Sequence, residues 1–349
     1  MMRDVSADLA RWRGEGKDVA VATVVATRLS APRPVGSKFV VSETGELAGS
    51  VSGGCVENDV YTYAREVLAG AEPRLLTYGI SDDEALEVGL PCGGEIDVWV
   101  DRLDPALGER LFEVVASEER AVCFTVLEGE HAGAQLLVLL DTGETLGDGP
   151  PELASLAPDV QRNGLLKREG DRVYAEVYGP PPRFVVFGAV DTAEALCAAA
   201  KLVGWDTIVV DARATFATPE RLPSADRIIG SWPEDALPEL QLDRDTAVAC
   251  LNHDERFDIP ALQGALASEA FYVGALGSRK TQAGRREKLL EAGVPEEALA
   301  RIHGPAGLDL GADTPAETAL AILAEALAAR AGRPGRALRD SPTRIHVEG

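Results

Sequence analysis

The sequence contains few cysteines, and no two of them stand close together. The five lie at Cys55, Cys92, Cys123, Cys197 and Cys250 in a chain of 349 residues. Their number is odd, their spacings are wide and no C-x-x-C pair occurs, which excludes a disulfide framework and a zinc ribbon. Reduced thiols in a reducing compartment are therefore expected.

Basic residues and long apolar runs are also scarce. Lys and Arg number 34 against 57 Asp and Glu, which gives a formal net charge of −23. Such a chain repels a phosphate backbone, so nucleic-acid binding is not expected. The apolar stretch 19–26 is much shorter than the ~20 residues that cross a membrane, and nothing near the start resembles a signal peptide. We therefore expect no membrane span and a cytoplasmic location.

The hydrophobic residues are numerous enough to form the cores of two domains. Hydrophobic residues make up 46% of the chain, and its length corresponds to about two domains. Residues 1–178 read as a mixed α/β domain. Its predicted strands are 19–26, 38–42, 96–100, 121–127 and 135–140, and an amphipathic helix is predicted at 56–68. The run Gly179-Pro180-Pro181-Pro182 continues neither a helix nor a strand and marks a boundary.

Beyond this boundary, apolar strands alternate with helices. Strands are predicted at 183–187, 207–211, 227–229, 246–251 and 271–273, and helices at 192–203, 259–268 and 278–292. Such alternation favours a parallel sheet covered on both faces. The expected fold is α/β, with a C-terminal Rossmann-like doubly wound parallel sheet over 183–331, a smaller N-terminal mixed α/β domain, and a tail at 332–349. A capping box at Thr314 opens a last helix whose Leu320, Leu323 and Leu327 form one apolar face.

The turn after the first strand of the second half resembles a dinucleotide fingerprint. In the pattern G-x-G-x-x-G/A, Gly188 occupies the tight turn and Ala193 the close contact between helix and strand. Val190 stands where the second glycine lets backbone approach a pyrophosphate. Asp211 ends the next strand, where an acid would bind a ribose. The pattern predicts the fold, whereas Val190 counts against a working NAD(P) site.

Cations cluster after the strand at 271–273. The segment Gly274-Ala275-Leu276-Gly277-Ser278-Arg279-Lys280 opens a helix, and Arg285 and Arg286 follow within two turns. A helix N-terminus flanked by Arg and Lys binds anions readily. The segment therefore predicts a phosphate or pyrophosphate site. The alternative is a solvated helix face paired with Glu287 and Glu291.

Two of the cysteines lie in glycine-rich segments. Ser52-Gly53-Gly54-Cys55 places a thiol at the start of a predicted helix, where the helix dipole favours thiolate. Leu90-Pro91-Cys92-Gly93-Gly94 precedes a strand. The paired glycines let a ligand come close to the backbone, so each thiol is either part of a ligand site or a small buried hydrophobe. Cys123, Cys197 and Cys250 are expected to be buried.

The histidines and the remaining motifs are less informative. His253 follows a predicted strand at the carboxyl edge of the sheet, where open α/β folds bind ligands, and His303 lies in a glycine-rich loop. The spacing of His253, Asp254 and Asp258 matches a metal site poorly, and no metal is assigned. No G-x-S-x-G, P-loop or H-E-x-x-H motif occurs, so hydrolase, NTPase and zincin functions lack support.

Taken together, several segments resemble the XdhC/CoxI family, the xanthine dehydrogenase accessory proteins. The resemblance covers about residues 19–330, and its motifs occur in the family's order. They are Gly53-Gly54-Cys55-Val56-Glu57, Pro91-Cys92-Gly93-Gly94, Val210-Asp211-Ala212-Arg213, Phe216-Ala217-Thr218-Pro219-Glu220-Arg221, Tyr272-Val273-Gly274-Ala275-Leu276-Gly277-Ser278-Arg279 and Ile302-His303-Gly304-Pro305-Ala306-Gly307-Leu308-Asp309-Leu310-Gly311-Ala312.

This resemblance implies a chaperone rather than a turnover enzyme. Such proteins bind molybdenum cofactor, as molybdopterin or its dinucleotide form, and stay near a cysteine desulfurase while the metal gains its sulfido ligand. They then deliver it to an apo molybdenum hydroxylase such as xanthine dehydrogenase or carbon monoxide dehydrogenase. A homodimer is implied, and the cofactor would lie in a cleft between the two halves. The implied cofactor-binding residues are Gly53, Gly54, Cys55, Cys92, Gly188, Asp211, Gly277, Ser278, Arg279, Lys280 and His303.

Two other functions stay open. In the Rossmann turn the family usually has glycine where this chain has Val190, and often histidine where it has Asp191. An NAD(P)-binding oxidoreductase needs a good dinucleotide turn, and Val190 weakens that interpretation. A thiol or persulfide redox protein would instead act through Cys55 and Cys92.

Overall fold

The structure of the chain is a computed structural model that describes residues 2–29, 31–79, 94–168, 171–252 and 254–340. It divides into two compact units, one up to Pro180 and the other from Pro181 to Asp340. The N-terminal unit is thus the longer of the two, and not the smaller as the sequence suggested. No helix in these ranges is both long and apolar enough to cross a membrane.

The N-terminal unit is built from two antiparallel sheets and, within its described residues, three α-helices. The first sheet, in the order β3-β2-β1-β5-β4, contains β1 (Val19–Arg28), β2 (Lys38–Ser42), β3 (Leu47–Gly49), β4 (Arg74–Tyr78) and β5 (Glu95–Arg102). The second, in the order β8-β7-β6-β10-β9, contains β6 (Ala121–Glu128), β7 (Gln135–Leu139), β8 (Thr145–Gly147), β9 (Gly164–Arg168) and β10 (Asp171–Tyr178). The helices are α1 (Met2–Gly14), α2 (Glu57–Leu68) and α3 (Pro105–Ser117), and a 3-10 helix spans Pro151–Asp159.

Apolar and charged contacts both join these two sheets. Trp12 of α1 is fully buried in a cluster that also contains Val40 of the first sheet and Leu137 of the second. Between the sheets, Lys38 on β2 donates a 2.8 Å hydrogen bond to Glu176 on β10, and both side chains are buried. Since a buried charge is costly without a partner, this pair ties one sheet to the other.

The C-terminal unit contains a six-stranded sheet whose strands are all parallel. Its order is β13-β12-β11-β14-β15-β16, the 3-2-1-4-5-6 arrangement of the Rossmann fold. The strands are β11 (Arg183–Phe187), β12 (Asp206–Val210), β13 (Arg227–Ile229), β14 (Thr246–Cys250), β15 (Tyr272–Ala275) and β16 (Ile302–His303). The helices are α4 (Asp191–Leu202), α5 (Pro233–Leu240), α6 (Glu255–Ala267), α7 (Arg279–Glu291), α8 (Glu296–Leu299) and α9 (Pro315–Arg330), and a short 3-10 helix spans Leu338–Asp340.

Helices cover both faces of this sheet, which confirms the expected doubly wound α/β fold. Alternate residues of β11 enter different cores, because successive strand side chains point to opposite faces. Phe184 and Val186 pack with residues of α4 and α9. Val185 and Phe187 pack with residues of α5 and α6.

The capping box predicted at Thr314 is confirmed, but the predicted apolar face of α9 is not its buried face. Of the three leucines on that face, only Leu323 is buried, while Leu320 is 53% exposed. The buried residues are small ones such as Ala319 and Ala326. They pack with α4, itself alanine-rich, and small side chains let two helices approach closely where leucines would hold them apart.

Candidate functional site

Several connections of the N-terminal unit meet at one end of its first sheet. β1 ends beside the start of β5, with Arg28 opposite Glu95. β3 ends beside the start of β2, with Gly49 opposite Phe39, and β4 also ends at this edge. We call this edge the loop end. The segment 50–56, which leads from β3 into α2, lies there and is called the Cys55 loop.

Every backbone amide of the Cys55 loop from Val51 to Val56 donates to one of three side chains, Ser50, Ser52 or Glu57. The Glu57 carboxylate accepts from the amides of Val51 (3.2 Å), Ser52 (2.9 Å) and Gly54 (2.8 Å), the Ser50 hydroxyl from Gly53 (2.8 Å), and the Ser52 hydroxyl from Cys55 and Val56 (2.9 Å each). Both hydroxyls donate to Glu57 in turn, that of Ser50 over 2.7 Å. The loop is therefore folded around one carboxylate.

This wrapping lowers the pKa of Glu57. Burial alone would raise the pKa, but the hydrogen bonds from Ser52 and Ser50 outweigh it and bring the pKa from 4.5 to about 2. Glu57 is the first residue of α2, whose N-cap residue, Val56, provides no side-chain cap. A carboxylate at a helix N-terminus is also stabilised by the helix dipole.

The two glycines of the loop are required by its conformation. Gly53 and Gly54 have φ values of 75° and 113°, which side chains with a Cβ rarely adopt. An added Cβ at either position would meet no atom within 4 Å, so steric space is not the constraint. Because these amides are already bonded within the chain, the glycines do not offer free N–H groups to a ligand, and the predicted close approach of a ligand to this backbone stays a prediction.

Cys55 is exposed, whereas three other cysteines are buried as predicted. Burial raises the pKa of the Cys123 and Cys197 thiols to about 12 and that of Cys250 well above its usual value. These three are therefore poor nucleophiles and poor metal ligands. Cys92 lies outside the described residues, and its role stays a prediction.

In the C-terminal unit, the carboxyl ends of the parallel strands form a second group of loops. Gly188 follows β11 with a φ of 116°, and a Cβ there would lie 3.0 Å from the amide nitrogen of Asn252. Val190 has a φ of −113° and packs against the core under α4, so the backbone itself does not require glycine at this position. The tight turn predicted at Gly188 is present.

The carboxylate of Asp211, the expected ribose ligand, accepts hydrogen bonds from neighbouring groups of the same chain. Its side chain is 1% exposed, and its carboxylate accepts from the amide of Ala189 (2.7 Å) and from the guanidinium of Arg213 (2.9 and 2.6 Å). Burial alone would raise the pKa of Asp211, but these hydrogen bonds lower it. In this arrangement Asp211 fixes the turn after β11 and leaves little capacity for sugar hydroxyls.

The predicted anion site lies at the N-terminus of α7. Gly277 adopts a φ of 131°, and the Ser278 hydroxyl caps the helix by accepting from the Thr281 amide at 3.1 Å. Arg279 and Lys280 are exposed, and neither forms an ion pair with any described residue. Two unpaired cations beside a helix N-terminus are suited to bind phosphate.

The other two cations of this cluster are engaged elsewhere. Arg285 is buried and pairs with Asp258 at 2.6 Å, and it also donates to the Leu276 carbonyl. Arg286 pairs with Glu296. Of the four cations within residues 279–286, Arg279 and Lys280 are thus the pair available for an anion, and neither Glu287 nor Glu291 forms a described ion pair with them.

His303 is held by a carboxylate. Its Nδ1 lies 3.2 Å from Glu325 Oε1 on α9, and its ring lies 4.7 Å from that of Tyr272. Glu325 also accepts from the Tyr272 hydroxyl (2.7 Å) and from the Gly307 amide (2.8 Å). These contacts fix the orientation of the imidazole, so His303 has a structural role in this loop whether or not it meets a ligand.

Within the described ranges no group of three or more His, Cys, Asp and Glu side chains could hold a metal ion. His253 lies outside those ranges. Asp254 caps α6 through the Arg256 amide, and Asp258 binds Arg285.

One exposed aromatic residue at the carboxyl edge was not predicted from the sequence. Trp232 follows β13 as the N-cap residue of α5 and is 43% exposed. The available signal was a tryptophan that lies three residues after a short strand and directly before a proline, a place where most chains carry a small polar residue.

Family models and relatives match most of the chain. Residues 184–326 match the model described as the XdhC Rossmann domain, and residues 12–79 match the model of the XdhC and CoxI family. The molybdenum cofactor insertion chaperone PaoD of Escherichia coli is 30% identical over 316 residues, which are 90% of this chain and 84% of PaoD. A probable xanthine dehydrogenase subunit of Bacillus subtilis is 27% identical over 326 residues, 90% of this chain and 94% of that protein.

A solved structure is similar along nearly the whole chain. It is the crystal structure of a xanthine dehydrogenase from Bacillus halodurans, with a TM-score of 0.71 and 25% sequence identity. The match covers 97% of this chain and 98% of that one. Both units thus have a counterpart of known structure.

Proposed function

This chain belongs to the XdhC and CoxI family, and from that premise we propose that it binds molybdenum cofactor and delivers it to an apo molybdenum hydroxylase. The names of the relatives support this role, since one is a molybdenum cofactor insertion chaperone and another a probable xanthine dehydrogenase subunit. The observation that carries the proposal is the exposed Cys55 on a loop whose amides are all bonded internally.

The Cys55 thiol is proposed as the group that meets the metal or its sulfur. Thiolate is the nucleophilic and metal-binding form of cysteine, and the three deeply buried thiols are unsuited to that task. A phosphate would find no free amide in the Cys55 loop, because Ser50, Ser52 and Glu57 accept from the amides of residues 51–56 and the Ser50 amide donates to the Lys38 carbonyl. An exposed thiol without free amides beside it is therefore better suited to the metal and sulfur of the cofactor than to its phosphate.

Arg279 and Lys280 are proposed as the residues that bind the phosphate of the cofactor. They lie at the start of α7, directly after Gly277 and the N-cap residue Ser278. Their charges are unpaired within the described part of a chain whose net charge is −23, so an anion gains attraction there without breaking an ion pair.

Gly188, Asp211 and His303 are proposed to support binding indirectly. Gly188 permits the turn beside β14, Asp211 holds the Ala189 amide, and Glu325 orients His303. An NAD(P)-dependent oxidoreductase draws no support from this turn, since Arg213 already occupies the Asp211 carboxylate. The proposal further includes a cysteine desulfurase as sulfur donor, xanthine or carbon monoxide dehydrogenase as recipient, a homodimer and a cytoplasmic location.

Anaerobic binding of purified molybdenum cofactor tests the proposal. The Cys55→Ser variant should retain less sulfurated cofactor, and Asn58→Ser, an exposed neighbour on α2, serves as its matched control. Arg279→Ala should weaken binding and reduce its salt dependence, because it removes a phosphate contact. Arg286→Ala, whose side chain already pairs with Glu296, should leave both unchanged. Wild-type protein that binds no cofactor would overturn the proposal.

A further inference from the structure

We propose that Trp232 is a stacking surface for a planar heteroaromatic ring at the carboxyl edge of the parallel sheet. The inference rests on the proposed function, because the ring would be the pterin or the nucleobase of the cofactor. The chain has four tryptophans, and Trp12, Trp99 and Trp205 are at most 5% exposed, against 43% for Trp232. This indole is the one that a ligand can reach.

The position of Trp232 is on the side of the sheet where such folds bind ligands. β13 ends at Ile229 and is parallel to β12, so the residues after it lie at the carboxyl edge with those after β11 and β14. Open α/β sheets bind their ligands outside the carboxyl ends of the strands. Trp232 therefore lies at the ligand-binding edge of the C-terminal unit.

Capping does not explain a tryptophan at this position. Trp232 is the N-cap residue of α5, where Ser, Thr, Asn or Asp would accept a bond from a helix amide, and its side chain forms no such bond. Nor is it needed to fill the core, since nearly half of its surface remains exposed while the neighbouring Pro233 and Ala236 are buried.

The Trp232 indole packs against a buried aromatic side chain. Its ring lies 5.9 Å from that of Phe257 at an angle of 49°, and Phe257 packs edge-on against Phe187 at 6.3 Å. Phe187 is the last residue of β11 and is fully buried, so these ring contacts connect the indole to the core. A pre-oriented ring loses little freedom when a ligand stacks on it, which favours binding.

Open space surrounds Gly230 in the segment that leads to Trp232. A Cβ added to Gly230, two residues before Trp232, would meet no atom within 4 Å, and the φ of Gly230 is not in the left-handed region. Glycine is therefore not demanded there by the backbone. The segment before Trp232 therefore carries no side chain at Gly230 although the space would admit one.

The distance to the proposed phosphate site sets the length that a ligand needs if it is to contact both places. Trp232 follows β13 and Ser278 follows β15, four strand positions apart in the sheet order. At about 4.8 Å per strand the separation is about 19 Å. A molecule that contacts both places must therefore be extended, whichever of its rings stacks on Trp232.

Tryptophan emission of the whole chain tests the proposal, with GMP, CMP and neopterin as ring-bearing probes and ribose 5-phosphate as the probe without a ring. We expect saturable quenching by a ring-bearing probe and none by ribose 5-phosphate. Quenching by GMP or CMP identifies the nucleobase as the stacked ring, and quenching by neopterin alone identifies the pterin. Absence of saturable quenching by every ring-bearing probe overturns the proposal.

Two variants followed by equilibrium dialysis separate stacking from other causes. Trp232→Phe should keep binding of the effective probe, and Trp232→Leu should weaken it about tenfold, the usual loss when a base loses its aromatic partner. Leu310→Ala, a change at another exposed apolar residue of the same unit, is the control. Equal binding by Trp232→Leu overturns the proposal. If the wild type binds the probes but no molybdenum cofactor, the proposed function fails while the stacking site stands.

Discussion

Replacing Glu57 with glutamine removes the charge around which the Cys55 loop is folded. The new Oε1 can still accept from the amides of Val51 and Ser52, but the side-chain NH2 then faces the Gly54 amide, a donor against a donor. An amide left without an acceptor is costly. We expect the loop to loosen while α2 and the sheet beneath it stay folded.

The size of the effect follows from the pKa of Glu57. A fall from 4.5 to about 2 corresponds to about 3 kcal/mol, or about 2 kcal/mol after allowance for solvent screening of a partly exposed group. Because the folded-state pKa lies below the unfolded one, this stability is present above about pH 4.5 and is lost as the pH falls through 2. The glutamine variant should lack this pH dependence.

Amide hydrogen exchange at residues 51–56 measures this loss locally, since loops open independently of global unfolding. A change of about 2 kcal/mol predicts roughly 30-fold lower protection of these amides in Glu57→Gln. Glu66→Gln changes a carboxylate farther along α2 that contacts Arg74 at 3.8 Å, and it should leave protection as in the wild type. Unchanged protection in Glu57→Gln would refute the claim that this carboxylate organises the loop.

Three further changes have defined outcomes. Gly54→Ala should destabilise the Cys55 loop by about 2 kcal/mol, seen as faster exchange of its amides, because alanine is strained at a φ of 113°; normal exchange would mean that the conformation is tolerated. Glu176→Gln should lower the free energy of unfolding of the N-terminal unit, measured in urea, by about 3–5 kcal/mol, since the buried charge of Lys38 loses its opposite charge and keeps only neutral acceptors such as Thr23; the double variant with Lys38→Met should recover most of this, and no recovery would contradict the reasoning. Burial raises the pKa of Asp101 to about 6, so stability should fall by about 2 kcal/mol as the pH rises from about 4 to 6; Asp101→Asn should remove this slope, and an equal slope in the variant would rule Asp101 out.

The parallel sheet of the C-terminal unit could be predicted from the sequence because its strands are short, continuous apolar runs. β11 and β13 begin and end where the sequence placed them. Buried on both faces, such strands need no alternation of polar residues and stand out clearly. Helix α1 was not predicted, because its apolar residues are few. Val5, Leu9 and Trp12 form a narrow apolar stripe among charged residues.

The candidate sites were only partly predictable. Glycines before Cys55 indicated a special loop, but its folding around Glu57 depends on backbone angles that a sequence pattern does not specify. The sequence identified Asp211 as an acid at the end of a strand, where it could bind a ribose. It did not reveal that the Arg213 side chain binds the Asp211 carboxylate in the folded chain. Local patterns identify residue types and positions, whereas the choice of partner depends on side-chain geometry in the folded chain.

Transfer of the cofactor tests the central claim most directly. The chain is loaded anaerobically with sulfurated molybdenum cofactor, excess cofactor is removed, and an apo molybdenum hydroxylase is added while its activity is followed. The proposed function predicts that the loaded chain restores activity faster than the same amount of free cofactor, and that Cys55→Ser loses this advantage. Restoration no faster than with free cofactor would contradict a role in cofactor delivery.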